Sequence, residues 1–124
     1  MSSSKKIKRK ILGYLILALT TIAANHIAPA SDAILGKKIY HERCKVCHGN
    51  QGDGKTFAAN ALFPPPKNFT TRASKKDFTR KQMILSVRRG RPSTAMMAWE
   101  NILSRQEIYS VVDYIRQVLM GLQK

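Results

Sequence analysis

The two cysteines of the chain stand beside a histidine in the segment Cys44-Lys45-Val46-Cys47-His48. Two thiols three positions apart on one turn can each add to one of the two vinyl groups of a porphyrin. The histidine after the second thiol then falls beneath the iron, where its imidazole can form an axial bond. This C-x-x-C-H spacing is the haem-attachment signature, and it predicts one covalently bound haem c with its iron at Cys44, Cys47 and His48.

Three other chemistries use a pair of cysteines. A thioredoxin-like redox pair belongs in a βαβ setting, and no alternating strand pattern surrounds this pair. A zinc site needs a second Cys/His pair downstream, whereas His26 and His41 both precede the motif. A local disulfide without further function is the third alternative. The adjacent histidine, the export signal described below and the glycines that follow the motif all favour haem attachment.

The residue opposite the histidine decides what a haem can do, because a methionine thioether suits an electron carrier and an open position suits a ligand-binding haem. Of the five methionines, Met96 and Met97 follow Pro92 in a loop between two predicted helices. Met83 belongs to the apolar side of a predicted helix, where methionine is usually core filler. The residues alone leave Met96 and Met97 both open as the sixth ligand.

The first thirty residues differ in composition from the rest of the 124-residue chain. A basic block ends at Lys10, an uncharged apolar run extends from Ile11 to Ala24, and Ala28-Pro29-Ala30 supplies small residues for a peptidase. This pattern predicts a secretory signal peptide over residues 1–30, cleaved after Ala30, and one domain over residues 31–124. An uncleaved membrane anchor is the alternative, although a spanning helix needs roughly 17–25 apolar residues.

The chain is strongly basic, with 22 Lys and Arg residues against 7 Asp and Glu residues. Five of the bases and none of the acids lie in residues 1–30, so the predicted domain keeps 17 bases and 7 acids. Such an excess predicts an acidic partner, an anionic membrane or nucleic acid. An exported chain without a nucleic-acid motif favours acidic redox proteins and argues against nucleic acid, with peripheral or anchored membrane association as the alternative.

Helical signals run through the predicted domain, and no strand-like alternation occurs. Asp32 is a candidate N-cap for a helix that runs up to the cysteines, and Gly36 on that helix predicts a close crossing with another. Capping-box pairs, Thr79 with Gln82 and Ser104 with Glu107, predict two further helices, the first ending near Gly90. The last helix carries an apolar stripe at three- and four-residue steps: Ile108, Val111, Val112, Ile115, Val118, Leu119 and Leu122. The fold class predicted from these signals is all-α.

The sequence resembles the small monohaem class I c-type cytochromes, and most closely those with a cbb3-oxidase-type cytochrome c domain. The matching residues are Tyr40, Cys44 to Gly49, Gly52-Asp53-Gly54, Pro64-Pro65-Pro66, Asn68-Phe69-Thr70 and Ala95-Met96-Met97-Ala98-Trp99. The resemblance implies a class I cytochrome c fold, with three to four helices wrapped around one covalently bound haem. It also implies Met96 as the sixth ligand, although the family usually has proline where Met97 stands.

The resemblance has further implications for the haem surroundings. It implies that a backbone carbonyl in the stretch from Leu62 to Pro66 accepts a hydrogen bond from His48. It also implies that the indole N–H of Trp99 donates to a haem propionate, with a plain packing aromatic as the alternative. Apart from the resemblance, Asn68, Arg72 and Arg91 are further candidate partners of the propionates.

The function expected from these features is single-electron transfer between redox proteins of a respiratory or dehydrogenase chain in the periplasm. The chain offers no acid/base pair for catalysis, so we expect no enzyme activity. We expect the haem-attachment machinery as a partner, and docking guided by bases near the haem edge: Lys45, Lys55, Arg88, Arg89 and Arg91. The alternatives are a haem-bearing subunit of a larger oxidase or dehydrogenase and, with an open sixth position, a gas sensor or peroxidase-like enzyme.

Overall fold

The computed structural model describes residues 28–123, and every regular element in that range is helical. Helix α1 spans Ala28–Ile39, continues into a π-helical turn over Tyr40–Cys44 and then into α2 over Lys45–His48. A 3₁₀ turn covers Ala58–Ala61. The remaining helices follow in order: α3 over Arg72–Asp77, α4 over Arg80–Arg89 and α5 over Arg105–Tyr114, which ends in a second π-helical turn over Ile115–Leu119. The predicted all-α class is confirmed.

Residues 31–124 form one compact unit, and the structure describes almost all of it. The predicted basic block and apolar run of a signal peptide lie outside the described residues, so the signal peptide and its cleavage after Ala30 stay predictions. Within residues 28–123, none of the helices has the length and apolar character needed to cross a membrane.

Helices α1 and α5 cross in close contact at Gly36, as the sequence predicts. A Cβ atom at Gly36 would overlap the backbone carbonyl of Ser110 and approach the Cβ of Tyr114. One turn further along, where α1 passes into the π-helical turn, the fully buried Tyr40 ring meets the Tyr114 ring with centroids 5.6 Å apart. A residue without a side chain is therefore required at the crossing point, and two tyrosines fill the space beside it.

The core forms where α4 and α5 pack together and where α1 crosses α5. Its buried residues are Ile39, Tyr40, Phe69, Met83, Leu103, Ile108, Val111, Val112, Tyr114, Ile115 and Met120. Helix α4 contributes Met83, with Ile84 and Val87 partly buried against the cluster. Most of the core is thus supplied by the last helix and the residues just after it, in agreement with the predicted stripe.

The predicted helix starts are confirmed for α4 and α5 and wrong for α1. Both capping boxes form: Thr79 with Gln82, and Ser104 with Glu107. Asp32 is not an N-cap, because α1 begins at Ala28 and Asp32 lies inside it. Its carboxylate instead accepts a 3.0 Å hydrogen bond from the Gln106 side chain, which joins α1 to the first turn of α5.

Val118 departs from the predicted core stripe, since its side chain is 61 % exposed while Met120 is fully buried. The cause is the π-helical turn over Ile115–Leu119. The amide of Met120 donates to the carbonyl of Ile115 at 2.9 Å, five residues back instead of four. The extra residue in the turn rotates the following side chains, which moves Val118 outward and brings Met120 into the core.

Candidate functional site

The C-x-x-C-H residues lie on one short helical stretch. Cys44 closes the first π-helical turn, and Cys47 and His48 lie in α2. All three side chains are half-buried, and both thiols are free. Burial, together with the neighbouring Cys47, raises the pKa of Cys44 to about 12. The Cys44 thiol is therefore protonated at neutral pH in the chain before any haem is attached.

The imidazole of His48 is held on two sides. Its Nδ1 lies 3.2 Å from the carbonyl oxygen of Lys67, and its ring stacks on Phe69 with centroids 4.8 Å apart. Donation from Nδ1 leaves the lone pair of Nε2 free for a metal. Burial lowers the pKa of His48, and the hydrogen bond to Lys67 only partly opposes this shift, so the ring is neutral at pH 7.

The hydrogen-bond acceptor for His48 is not in the predicted stretch from Leu62 to Pro66. The acceptor is Lys67, the residue directly after the three prolines. The prolines determine the path of the chain, since each one fixes its φ angle. The accepting carbonyl then belongs to the first residue beyond that restraint.

The glycine-rich loop after the motif is bonded to Tyr40 and to Phe69. The hydroxyl of the buried Tyr40 donates to the carbonyl of Gly49 at 2.7 Å, which ties the loop to α1. The amide of Phe69 donates to the carbonyl of Gly52, also at 2.7 Å. Gly52 has a φ of 75°, which favours glycine, and an added Cβ atom there would crowd the side chains of Phe69 and Leu119. This loop therefore fixes the residue that stacks on His48.

The methionine loop is held by backbone hydrogen bonds on both sides of Met96. The amide of Arg91 donates to the carbonyl of Met96 at 2.9 Å, and the hydroxyl of Thr94 accepts from the amide of Met96 at 3.1 Å. The Met96 side chain is half-buried, whereas Met97 is 51 % exposed. The loop lacks the proline usual after the axial methionine in the resembling family, and these bonds restrain it instead.

Gly90 allows the backbone of the same loop to pack closely against the end of α4. Its φ is 69°, and a Cβ atom there would press on the carbonyl of Met96 and the amide of Ala98. The amide of Trp99 donates to the carbonyl of Val87 at 3.0 Å, which closes the end of α4. The loop from Arg91 to Trp99 thus leaves the end of α4 at Gly90 and returns to its last turn through the bond from Trp99 to Val87.

The candidate propionate partners lie in different environments. Asn68 accepts from the amide and the hydroxyl of Thr70, so its side-chain oxygen is used within a local turn. Arg72 is exposed on α3, and the guanidinium of Arg91 lies 5.9 Å from the centre of the Phe78 ring. Trp99 is half-buried against the core. The roles of Arg72, Arg91 and Trp99 toward a propionate stay predictions.

The support for His48 comes from two residues to which the sequence reasoning gave no role. Phe69 had a signal, because it lies in the Asn68-Phe69-Thr70 segment that carries the family resemblance. Lys67 had none, since its contribution is a backbone carbonyl that any residue would supply.

Comparison with known proteins identifies the class. The chain matches the cytochrome c family model over residues 33–119, and it belongs to the cytochrome c family. The description of a c-type cytochrome of class I with an all-α fold is thereby confirmed. The narrower cbb3-oxidase-type assignment stays a prediction.

Two solved structures share the fold. One is the Kuenenia stuttgartiensis reducing HAO-like protein complex Kustc0457/Kustc0458, with a TM-score of 0.59 and 27% identity over 68% of this chain and 41% of that one. The other is the KustC0563 c-type cytochrome, with a TM-score of 0.54 and 24% identity over 72% of this chain and 98% of that one. A thiosulfate dehydrogenase of Stutzerimonas stutzeri (strain A1501) is 47% identical over 34 residues, which is 27% of this chain and 11% of that protein.

Membership of the family implies a covalently bound haem c with its iron, and the residues present fit that group. Two half-buried thiols lie three positions apart, and the adjacent imidazole donates from Nδ1 and leaves Nε2 free. When bound, the haem supplies an iron that cycles between two oxidation states. The chain is therefore a haem-bearing protein with an electron-carrying role.

Proposed function

We propose that this chain is an exported monohaem cytochrome c that carries single electrons between redox proteins, with His48 and Met96 as the axial ligands of the iron. Cys44 and Cys47 form the two thioethers to the haem. The observation that carries the proposal is the hydrogen bond from His48 Nδ1 to the carbonyl of Lys67, since it leaves Nε2 free as an iron ligand.

Met96 is the better of the two candidates for the sixth position. It is half-buried and its backbone is bonded on both sides, whereas Met97 is half exposed. A fixed thioether suits an electron carrier, because little rearrangement of ligands then accompanies the change in iron oxidation state.

The protein contributes restraint of the two ligands. Phe69 and the Lys67 carbonyl hold the imidazole of His48 in one orientation and one tautomer. A hydrogen bond of this kind also raises the basicity of the imidazole as a ligand. The bonds of Arg91 and Thr94 restrain the methionine loop in the same way. No side chain needs to move a proton, so the proposal includes no enzymatic step.

Export to the periplasm, cleavage after Ala30, the haem-attachment machinery and acidic redox partners complete the proposal. The support for export and cleavage is the leader-like composition of residues 1–30, and the support for acidic partners is the excess of bases in residues 31–124. A cbb3-oxidase-type relationship and a place in a respiratory or dehydrogenase chain are proposed from the sequence resemblance.

A second candidate is a haem-bearing subunit held permanently in a larger oxidase or dehydrogenase. Two phenylalanines favour it, since the Phe57 side chain is 94 % exposed and that of Phe63 is 95 % exposed. Large exposed aromatic side chains are typical of contact surfaces. One structural neighbour is described as a protein complex, and the thiosulfate dehydrogenase relative shows that a related segment occurs within an enzyme. Co-purification of the natively expressed chain with a stoichiometric partner would favour this candidate over a free carrier.

The absorption spectrum of the chain, matured with a haem-attachment system, tests the proposal. We expect one c-type haem that is low-spin in both oxidation states, has a sulfur-to-iron charge-transfer band when oxidised, and does not respond to carbon monoxide when reduced. A high-spin haem that binds carbon monoxide would overturn the methionine ligation and favour sensing or peroxidase-like chemistry. Absence of covalent haem would overturn the whole assignment.

A further inference from the structure

The positive charge of the domain is concentrated in one part of the chain. Residues 67–91 contain nine Lys and Arg residues and one acid, Asp77, whereas the rest of residues 31–124 contains eight bases and six acids. Two of the nine bases are paired with carboxylates from outside the segment, Arg80 with Asp113 and Arg88 with Glu100. The excess of charge therefore belongs to α3, α4 and the residues that flank them.

An open groove runs along α4 within this basic segment. Phe78 and Leu85 give it apolar surface, and Arg89, Arg91 and Pro92 lie at its far end. Gln82, Leu85 and Arg89 follow at three- and four-residue steps, so they share one side of α4, and Phe78 lies in the extended segment just before that helix. We refer to this feature, lined by Phe78, Leu85, Arg89 and Arg91, as the α4 groove.

Cations converge on the α4 groove without a carboxylate to balance them. The Lys67 ammonium lies 4.7 Å from the centre of the Phe78 ring and the Arg91 guanidinium 5.9 Å from it. Arg116 donates to the carbonyl of Phe78 at 2.9 Å. Among the described residues, no ion pair involves Lys67, Arg89 or Arg91. A second open cleft, beside α5, contains Asp32 and Asp113, and there the arginine charge is balanced by carboxylates of this chain.

We propose that the α4 groove is the docking site for an acidic segment of a partner protein. Carboxylates of the partner lie against Lys67, Arg89 and Arg91, and an apolar side chain between them covers Phe78 and Leu85. Charge complementarity argues for an acidic occupant, because the cations of this chain supply one half of each pair. The concave shape and apolar floor argue for a protruding peptide chain, since a flat layer of lipid headgroups would leave Leu85, 37 % exposed, without a contact.

The position of the groove gives docking a consequence for electron transfer. The amide of Arg91 donates to the carbonyl of Met96, and Gly90 lies against the Met96–Ala98 backbone. A partner seated at Arg89 and Arg91 is therefore adjacent to the methionine loop. This consequence rests on the proposed function, whereas the binding itself does not require Met96 to be a ligand.

The test is a titration of the ¹⁵N-labelled reduced holoprotein with a capped Glu-Glu-Leu-Glu-Glu peptide, followed by amide chemical shifts. We expect saturable shifts centred on Phe78, Leu85 and Arg89, and none with a capped Gln-Gln-Leu-Gln-Gln peptide. R89E/R91E should weaken the peptide affinity about tenfold, since both anion contacts become repulsive. The matched control K37E/K38E removes the same charge from the exposed face of α1 and should change the affinity less than about twofold.

Three results would overturn the proposal. Shifts spread over the whole surface, or an equal loss of affinity in both double variants, would mean that only net charge is sensed. Binding to phosphatidylglycerol/phosphatidylcholine vesicles through Arg89 and Arg91, without peptide binding, would make the groove a membrane contact. An unchanged affinity in Leu85→Asn, which alters no charge, would exclude the apolar contact. The absorption spectrum decides the ligation separately, so a failed docking proposal and a failed electron-carrier proposal give different results.

Discussion

Phe69 lies face to face with the imidazole of His48, with ring centroids 4.8 Å apart and an angle of 14° between the planes. Phe69 is itself buried and is bonded through its amide to the carbonyl of Gly52. The Phe69 ring therefore restrains the imidazole by packing against it, and its own position is held by the loop that begins directly after the C-x-x-C-H motif.

Replacement of Phe69 tests the stacking contact with His48. We expect Phe69→Ala to reduce the free energy of unfolding of the holoprotein by about 3–5 kcal/mol, because a buried aromatic side chain is lost from a packed site. The Soret and charge-transfer bands should also broaden as the imidazole gains freedom. Phe57→Ala is the matched control, since that ring is exposed, and it should cost less than about 0.5 kcal/mol. Equal effects in the two variants would contradict the role of Phe69.

The two methionines can be separated by single substitutions. We expect Met96→Ala to give a high-spin haem that binds carbon monoxide when reduced, because the sixth coordination position becomes open. Met97→Ala should keep the low-spin spectrum, since its side chain is half exposed. The measurement is the absorption spectrum of each variant with and without carbon monoxide. The reverse outcome would transfer the ligand role to Met97.

Gly90 offers a test of the methionine loop that leaves both methionines in place. An added Cβ would press on the Met96 carbonyl, so we expect Gly90→Ala to weaken the sulfur-to-iron band and to lower the reduction potential. Gly121→Ala is the control, because Gly121 also has a positive φ but has no atom within 4 Å of the added Cβ. Gly90→Ala also carries a backbone cost of about 1–3 kcal/mol, because Gly90, at φ 69° and ψ −167°, lies in a region that is essentially restricted to glycine. A potential shift of equal size in the control would exclude the steric explanation.

The crossing of α1 and α5 predicts a large cost for a small substitution. Gly36→Ala places a methyl group on the backbone of Ser110, which forces the helices apart and should cost about 1–3 kcal/mol or more. Thermal unfolding of the holoprotein should show this as a lower Tm. The opposite exchange at an exposed position of the same helix, Ala33→Gly, should cost no more than about 1 kcal/mol. A Gly36→Ala protein as stable as wild type would show that the crossing is loose.

The buried hydroxyl of Tyr40 predicts a dependence of stability on alkaline pH. Burial raises the pKa of Tyr40 above that of an unfolded tyrosine, about 10. A raised pKa in the folded state means that the stabilising contribution is complete below about pH 10 and is lost as the pH rises further. Tyr40→Phe removes the bond to Gly49 and should cost about 1 kcal/mol at pH 7.

Urea unfolding at pH 7, 9 and 10.5 measures this difference. The gap in stability between wild type and Tyr40→Phe should be constant up to pH 9 and should shrink at pH 10.5, because only the wild type must keep the buried hydroxyl protonated. Tyr109→Phe, at a partly exposed ring, should stay within about 0.5 kcal/mol of wild type. A gap that widens above pH 10 would contradict the sign of the shift.

Features encoded in single residues were predictable from the sequence. Both capping boxes, the end of α4 at Gly90 and the crossing at Gly36 each depend on the chemistry of one or two side chains, and the structure confirms them. The haem signature belongs to the same class, since its spacing follows from the porphyrin itself.

Features decided by backbone atoms or by packing were not predictable. The Lys67 carbonyl has no sequence signature, and α3, capped by Thr71, lies in a segment too basic and too short for an apolar stripe. The Asp32 prediction failed because a good cap residue is also tolerated inside a helix that begins earlier. Val118 was misplaced because an amide that bonds five residues back instead of four leaves no trace in composition.

The two π-helical turns begin beside the two tyrosines of the helix crossing. The first begins at Tyr40, and the second begins at Ile115, which follows Tyr114. In an uninterrupted helix, position 47 would point to the same side as position 40, toward α5. One additional residue per turn changes the phase by roughly 100°. Helix α1, which packs on α5, and α2, which carries Cys47 and His48, are thus continuous in the chain, but their side chains point in different directions. One continuous stretch of helix can thereby pack against α5 at Gly36 and still direct Cys47 to another side.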